Sequence, residues 1–272
     1  MLTLTQTYPT DLTTKEWTQL MSFFPPAPRR GRPRKGASWQ ILHAILYLTR
    51  TGGQWRMLPR DFPPWQTVYG YCWRWTQSGL WARLNTVLVK TARQQAGRQP
   101  QPSAAIIDSQ SVKTSEGGEA RGVEVHKQTP GRKRHIVVDV LGVLVMVVHS
   151  ARIPDGTGGK IVLPRLFASI KRSAHNRWCR LKLIWAEGAY RDIAAHVRKQ
   201  LGWRLEVVRR PADATGFSVL PRRWVVERSF GWLGRYRRLC RDFEHTTVSS
   251  EAMVYLASIR RTLKVVTTEK AN

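Results

Sequence analysis

Acidic residues, cysteines and long apolar runs are what this chain has least of. Only 18 Asp and Glu stand against 45 Lys and Arg in 272 residues, a formal net charge of +27. A balance this basic says nothing of fold but points to a polyanionic partner, nucleic acid before a membrane surface. The three cysteines, Cys72, Cys179 and Cys240, are odd in number and never at metal spacing. That excludes a disulfide framework and a zinc site, and it predicts a reducing cytosol. No apolar run approaches the ~20 residues that would span a bilayer. The N-terminus lacks the apolar segment of a signal peptide.

What is present begins with helices. Thr13-Thr14-Lys15-Glu16 reads as a capping box opening a helix to about Phe24, and Pro25, Pro26 and Pro28 end it. The following Arg29-Arg30-Gly31-Arg32-Pro33-Arg34-Lys35-Gly36 cannot be helical and has nothing to bury. Its Arg-Gly-Arg-Pro core resembles an AT-hook, so Arg30, Arg32, Arg34 and Lys35 are expected in a DNA minor groove; a solvated basic linker is the plainer alternative. Ile41, Ile45 and Leu48 space a second helix over 38–49, closed by Gly52-Gly53. A third runs from Trp65 to about Gln77, with Trp65, Tyr69 and Trp73 on one stripe and Val68, Cys72 and Trp75 at neighbouring core positions. A fourth runs from Leu80 to Gln95. Short helices, a polar turn and positive charge fit a helix-turn-helix DNA reader, or an aromatic-rich helical cap on a neighbouring domain. The pattern predicts an all-α DNA-binding domain over 1–97, with the basic arm at 28–36, and a Gln- and Pro-rich linker at 98–103.

From 104 to 272 the period becomes strand-like. Ala104-Ala105-Ile106-Ile107 predicts a short strand ending at Asp108, and a glycine-rich basic loop then continues to Arg134. Strands are predicted at 135–139 and 143–148 around the Leu141-Gly142 turn, at 181–186 and at 205–208. Helices are predicted near 160–172 and 191–200, and a last one carries Glu227. An antiparallel start followed by alternating helices and strands describes an α/β domain resembling RNase H.

Three acids take non-random places in that order. Asp108 ends the first strand, Glu187 follows the 181–186 strand, and Glu227 is the sole carboxylate between 221 and 241, among Arg222, Arg223, Arg228 and Arg235. On the helix, Arg223, Gly231 and Gly234 share the Glu227 side, and Val226, Phe230 and Leu233 form the apolar one. Alone, Glu227 is equally a surface glutamate neutralised by arginine. Carboxylates converging at a sheet edge repel one another unless cations neutralise them, which implies hard Mg²⁺ or Mn²⁺. Two such ions activate an attacking hydroxyl and stabilise the leaving oxygen of a phosphodiester. Asp139, Asp155 and Asp192 are lesser candidates, the first two by their turn-like surroundings and the third as a helix cap. His135 is expected to face DNA or to be packed.

Several long strings carry a family resemblance: Arg50-Thr51-Gly52-Gly53-Gln54-Trp55-Arg56-Met57-Leu58-Pro59, Ile106-Ile107-Asp108-Ser109-Gln110-Ser111, Gly131-Arg132-Lys133-Arg134-His135 and Arg223-Trp224-Val225-Val226-Glu227-Arg228. Over nearly its whole length the chain resembles bacterial insertion-sequence DDE-class transposases of the insertion-sequence five group. The resemblance implies an RNase H-like catalytic domain with two divalent ions. It also implies cleavage and strand transfer at terminal inverted repeats of duplex DNA, work in the bacterial cytoplasm at the nucleoid, and at least a homodimer to hold two DNA ends. It assigns Asp108 and Glu227 as the first and last acids and Arg223 to a DNA phosphate. Lys113, Arg132, Lys133, Arg134, Arg228 and Arg235 join the expected DNA contacts. The second acid departs from the family: glutamate, Glu187, stands where an aspartate precedes Gly-x-Tyr. Glu124 likewise replaces an aspartate, Leu220 a tyrosine, and an arginine is displaced to Arg235. These departures add a second expectation, a catalytically impaired remnant that still binds DNA.

Overall fold

The computed structural model describes residues 4, 6–26, 36–115, 117–173, 180–208 and 222–268, with the side chains of 172 and 173 excepted. Arg30, Arg32, Arg34, Lys35, Cys179 and Leu220 lie outside them.

Helix α1 (Thr14–Leu20) starts where its capping box predicts. Thr13 Oγ1 accepts from the Glu16 amide at 3.1 Å, and Glu16 Oε2 accepts from the Thr13 amide at 2.8 Å. Helix α2 (Ser38–Thr51) buries Ile41, Ile45 and Leu48 and stops at Gly52, whose φ of 77° is left-handed. Helices α3 (Trp65–Gln77) and α4 (Leu80–Gln95) occupy the predicted spans. In α3, Val68, Cys72 and Trp75 are buried as expected, while Tyr69 and Trp73 face solvent.

The sheet is built from β1 (Ala104–Lys113), β2 (Gly122–Glu124), β3 (Thr129–Val138) and β4 (Val143–Ser150), after which α5 (Asp155–Ser173) leads to β5 (Leu183–Ala186) and α6 (Ala194–Leu201) to β6 (Arg204–Val207). β3 runs antiparallel to β1, β2 and β4, and β1, β5 and β6 are parallel neighbours. Mixed pairing of this kind, with helices on both faces, is the α/β architecture expected of an RNase H-like domain.

Three spans differ from expectation. β1 does not end at Asp108 but continues to Lys113, and the supposed loop 131–134 is the first half of β3, with Asp108 opposite Ile136 and Val112 opposite Arg132. The polar side chains that hid these strands find partners in other elements, Ser109 on Asp155, Ser111 on Glu124 and Arg132 on the carbonyls of Glu244 and His245. The third is α8 (Thr247–Thr267), a helix beyond α7 (Trp224–Gly234), so the Glu227 helix is not the last. Thr246 caps α8 by accepting from the Ser249 amide, and its apolar positions from Met253 to Leu263 are buried. Those spacings were legible in the sequence.

α8 organises the molecule. One core joins Leu20, Ile45, Leu84 and Leu88 of the N-terminal helices to Ile106, Ile136 and Met146 of the sheet and Leu256, Ile259 and Leu263 of α8. A second core, on the other sheet face, holds Ile107, Val137, Val145, Val162, Leu166, Ile184 and Trp203 under α5 and α6. The N-terminal helices therefore share their core with the sheet and the C-terminal helix. Asn85 of α4 repeats the tie in hydrogen bonds, donating to the Val143 carbonyl at 2.7 Å and accepting from Ser258 at 2.7 Å.

Candidate active site

Strand register brings the first two acids together. Ile106 of β1 stands beside Trp185 of β5 in the parallel pair, so two residues further on Asp108 stands beside Glu187, just past the end of β5. Helix α7 packs over β1 and β3 and supplies Glu227. Its entry is held by Arg222, a non-glycine residue at φ 72° whose guanidinium lies 4.5 Å from the Trp185 ring centroid. A left-handed arginine is strained, and here the strain turns the chain so that the next residue, Arg223, faces the acids. Arg223 Nη2 reaches Glu187 Oε2 at 3.2 Å and Glu227 Oε1 at 3.9 Å. Both glutamates are about half exposed, at 50% and 47% of their side-chain surface.

Asp108 is the most enclosed of the three. Its carboxyl is raised to about 6: burial contributes most, the charges of Glu187 and Asp155 act the same way, and the hydrogen bond from the Ser109 amide at 2.7 Å opposes them. The Arg223 charge pulls it back. An enclosed carboxylate with two acid neighbours calls for positive charge. Among the described residues no three acid, histidine or cysteine side chains stand close enough to hold a metal ion. The cation that joins Glu187 to Glu227 is Arg223. The donor chemistry, carboxylate oxygen only, nevertheless fits a hard divalent ion.

The opposite face of the same strands carries a second polar group. Ser109 donates to Asp155 at 2.6 Å, Lys133 Nζ lies 3.0 Å from Asp155 and 3.4 Å from Glu124, and Ser111 bonds Glu124. Asp155 and Glu124 are thus committed to Lys133. Asp139 pairs with Arg93 and accepts from the Leu141 and Gly142 amides at 2.9 Å, the hairpin role expected of it. His135 is fully buried, its Nδ1 2.8 Å from His149 Nε2, under the helix backbone at Gly158, where any Cβ would sit 2.3 Å from the imidazole. It is packed and does not face outward.

Burial first, then His149, holds His135 down to about 3, with Asp155 opposing and Lys133 assisting. A depressed imidazole contributes stability that is complete above its unfolded value near 6.5 and is lost as pH falls towards 3. We expect the difference in unfolding free energy between the native chain and His135→Gln to shrink by about 2 kcal/mol between pH 7.5 and pH 5. Urea midpoints at the two pH values measure it, and a constant difference would count against the buried pair.

The Gly131–His135 string is where expectation and structure part. Arg132, Lys133 and Arg134 were expected on DNA, but they are buried at 0%, 3% and 2% exposure. Arg132 donates to the carbonyls of Glu119, Glu244 and His245 at 2.7–3.0 Å and pairs with Asp242 at 3.3 Å. Arg134 donates to the Leu239 carbonyl at 2.8 Å. Strand alternation sends Arg132 and Arg134 to one face and Lys133 and His135 to the other, and both faces are covered. The sequence signal for this was the alternation itself, masked by uniform positive charge. Among the other expected contacts, Lys113 and Arg235 are exposed and Arg223 and Arg228 are half-buried.

Comparison with known proteins gives the family. A family model described as "Transposase DDE domain" matches residues 99–259, more than half the chain. The chain belongs to the DDE transposase family. A second family model, "Putative transposase of IS4/5 family", matches residues 12–85 of this transposase. An uncharacterized 16.2 kDa protein of insertion element IS402 from Burkholderia cepacia is 31% identical over 122 residues, 42% of this chain and 77% of that protein. An uncharacterized protein of Sinorhizobium fredii is 27% identical over 77 residues, 28% of this chain and 62% of its own length. No solved structure matches the chain. DDE transposase domains generally depend on divalent metal, and among the described residues no helix is long and apolar enough to cross a membrane.

Proposed function

We propose that this transposase binds the terminal inverted repeats of its element and catalyses metal-dependent DNA cleavage and strand transfer, with Asp108, Glu187 and Glu227 as the catalytic acids. The observation that carries the reading is the convergence of an enclosed Asp108 and its strand neighbour Glu187 with Glu227 of α7, around one arginine. The same three carboxylates would hold two Mg²⁺ or Mn²⁺ ions, which supply an activated hydroxyl and charge stabilisation at the scissile phosphate. Arg223, facing both glutamates, is suited to exchange a carboxylate for a DNA phosphate, since a guanidinium matches either. Duplex DNA is the substrate, and a second copy of the chain would hold the second end. The helix-turn-helix reading rests on the short N-terminal helices, their polar turn and their positive charge; α3 adds a solvent side with Tyr69 and Trp73, and the basic arm at 28–36 would add minor-groove contact.

A purified chain incubated with a labelled transposon end and Mg²⁺ or Mn²⁺ tests the reading directly, since an active transposase nicks the end. Glu187→Asp separates it from the impaired-remnant reading. Aspartate is one methylene shorter and would draw the carboxylate back from Arg223. In an active site built around glutamate, a displacement near 1 Å lowers cleavage on the order of 10²-fold. A large gain instead would establish the natural residue as the lesion.

A further inference from the structure

Beside Glu227, the exposed flank of α7 carries Trp224, Arg228 and Trp232 at spacings of four residues, one above another on the helix. The Arg228 guanidinium lies 4.6 Å from the Trp224 ring centroid and 4.3 Å from that of Trp232. Arg261, from α8, lies 3.0 Å from the same Trp232 centroid. Aromatic ring and guanidinium therefore alternate along a single stack. Beyond it opens a groove of about 490 Å³ between α2, α7 and α8, lined by Arg50, Arg235, Arg261 and Lys264 with Trp232 and Tyr236. Arg50 lies over Tyr236, 5.1 Å from its ring centroid, and donates to the Arg235 carbonyl at 2.7 Å.

What distinguishes these arginines is the lack of acids. Arg260, which also borders the groove, is neutralised by Glu16. Among the described residues neither Arg228 nor Arg261 has a carboxylate at ion-pair distance. Their hydrogen bonds go to the backbone carbonyls of Val140 and Leu141, at 2.7 and 3.0 Å. Burial and the neighbouring Arg228 draw Arg261 down to about 10, as expected of like charges held together without a counterion. Stacking on indole fixes a guanidinium without neutralising it, leaving its outer N–H groups preorganised for an anion. Repeated cations along one track match the repeated phosphates of a nucleic-acid strand, and the track begins at the acids.

We propose that the Trp224–Arg228–Trp232–Arg261 stack, continued by the Arg50, Arg235 and Lys264 groove, is a phosphate track that carries the DNA strand away from the Asp108–Glu187–Glu227 site. It rests on the DNA-cutting function proposed above and adds where the strand runs. Fluorescence anisotropy of the full chain on a labelled terminal-repeat duplex and a scrambled duplex, across a NaCl series, tests it. Each lost phosphate contact reduces the salt slope by about 0.9 and, near 0.1 M salt, weakens binding about tenfold. Arg228→Gln with Arg261→Gln is expected to lower the slope by nearly two, equally on both duplexes. Should that pair unfold the chain, judged by its melting curve, Arg235→Gln with Lys264→Gln at the open end of the groove is expected to give the same loss. A folded pair of either kind that keeps the native slope and affinity overturns the track alone. A native chain that binds neither duplex overturns the function on which it rests.

Discussion

Asp108→Asn is expected to remove divalent-metal-dependent nicking of a transposon end, by at least about 10³-fold, while leaving the fold intact. The substitution keeps shape and one carbonyl oxygen, so the Ser109 amide, now 2.7 Å from Oδ1, keeps its acceptor. What it removes is the negative charge of the most enclosed acid, and a hard cation is held by charge as much as by oxygen. Because Asp108 lies mid-strand between Ile107 and Ser109 and is paired with Ile136, its position does not depend on the charge. A melting curve close to native beside absent nicking is the expected pair of results. Nicking within tenfold of the native rate would remove Asp108 from the chemistry, and the acid cluster with it.

Arg132→Met should have the largest effect on stability and little on DNA. The guanidinium makes four hydrogen bonds to three carbonyls and an ion pair with Asp242, itself 1% exposed. Methionine fills the volume but leaves Asp242 charged, with only Ser250 (2.6 Å) and the Glu244 amide (3.1 Å) to bond it. Breaking a buried pair from one side costs about 3–5 kcal/mol. For a chain of this size that lowers the melting temperature by roughly 10 °C. Below that temperature the salt slope of DNA binding should match the native chain, because the side chain never reaches the surface. A reduced slope with an unchanged melting temperature would return Arg132 to the DNA interface.

Arg132 also shows where sequence reading stops. A run of four basic or titratable side chains before an apolar strand looks like a solvated loop, and its charge suggests phosphate. Only pairing with β1, and closure of one face by the 239–245 segment, turns the same residues into internal ties. Charge in a sequence reports what a side chain can bond. Whether its partner is a backbone carbonyl or a phosphate depends on what folds over it. The length of β1 was missed for the same reason, since its Ser109 and Ser111 gain Asp155 and Glu124 as partners only once strands and helices meet.

Other features were legible from residues alone. The capping box at Thr13 and Glu16, the glycine stop at Gly52, the spans of α3 and α4 and the change of period after the linker follow from local backbone chemistry, which acts within a few residues. The three acids were recognisable as types at characteristic points in the element order. Their meeting was a matter of tertiary structure: the register that places Glu187 beside Asp108, the left-handed turn at Arg222 that aims Arg223, and the packing of α7 over β1. So too was the packing of α8, which binds the N-terminal helices and the sheet into one core. Charge, periodicity and motif are properties of neighbours in the chain, and by themselves they determined the family and singled out its candidate acids. Distances between residues far apart in sequence arise only when burial selects one packing. That selection joined Glu187 to Glu227 through Arg223, set Arg228 and Arg261 against Trp232, and withdrew Arg132 from solvent.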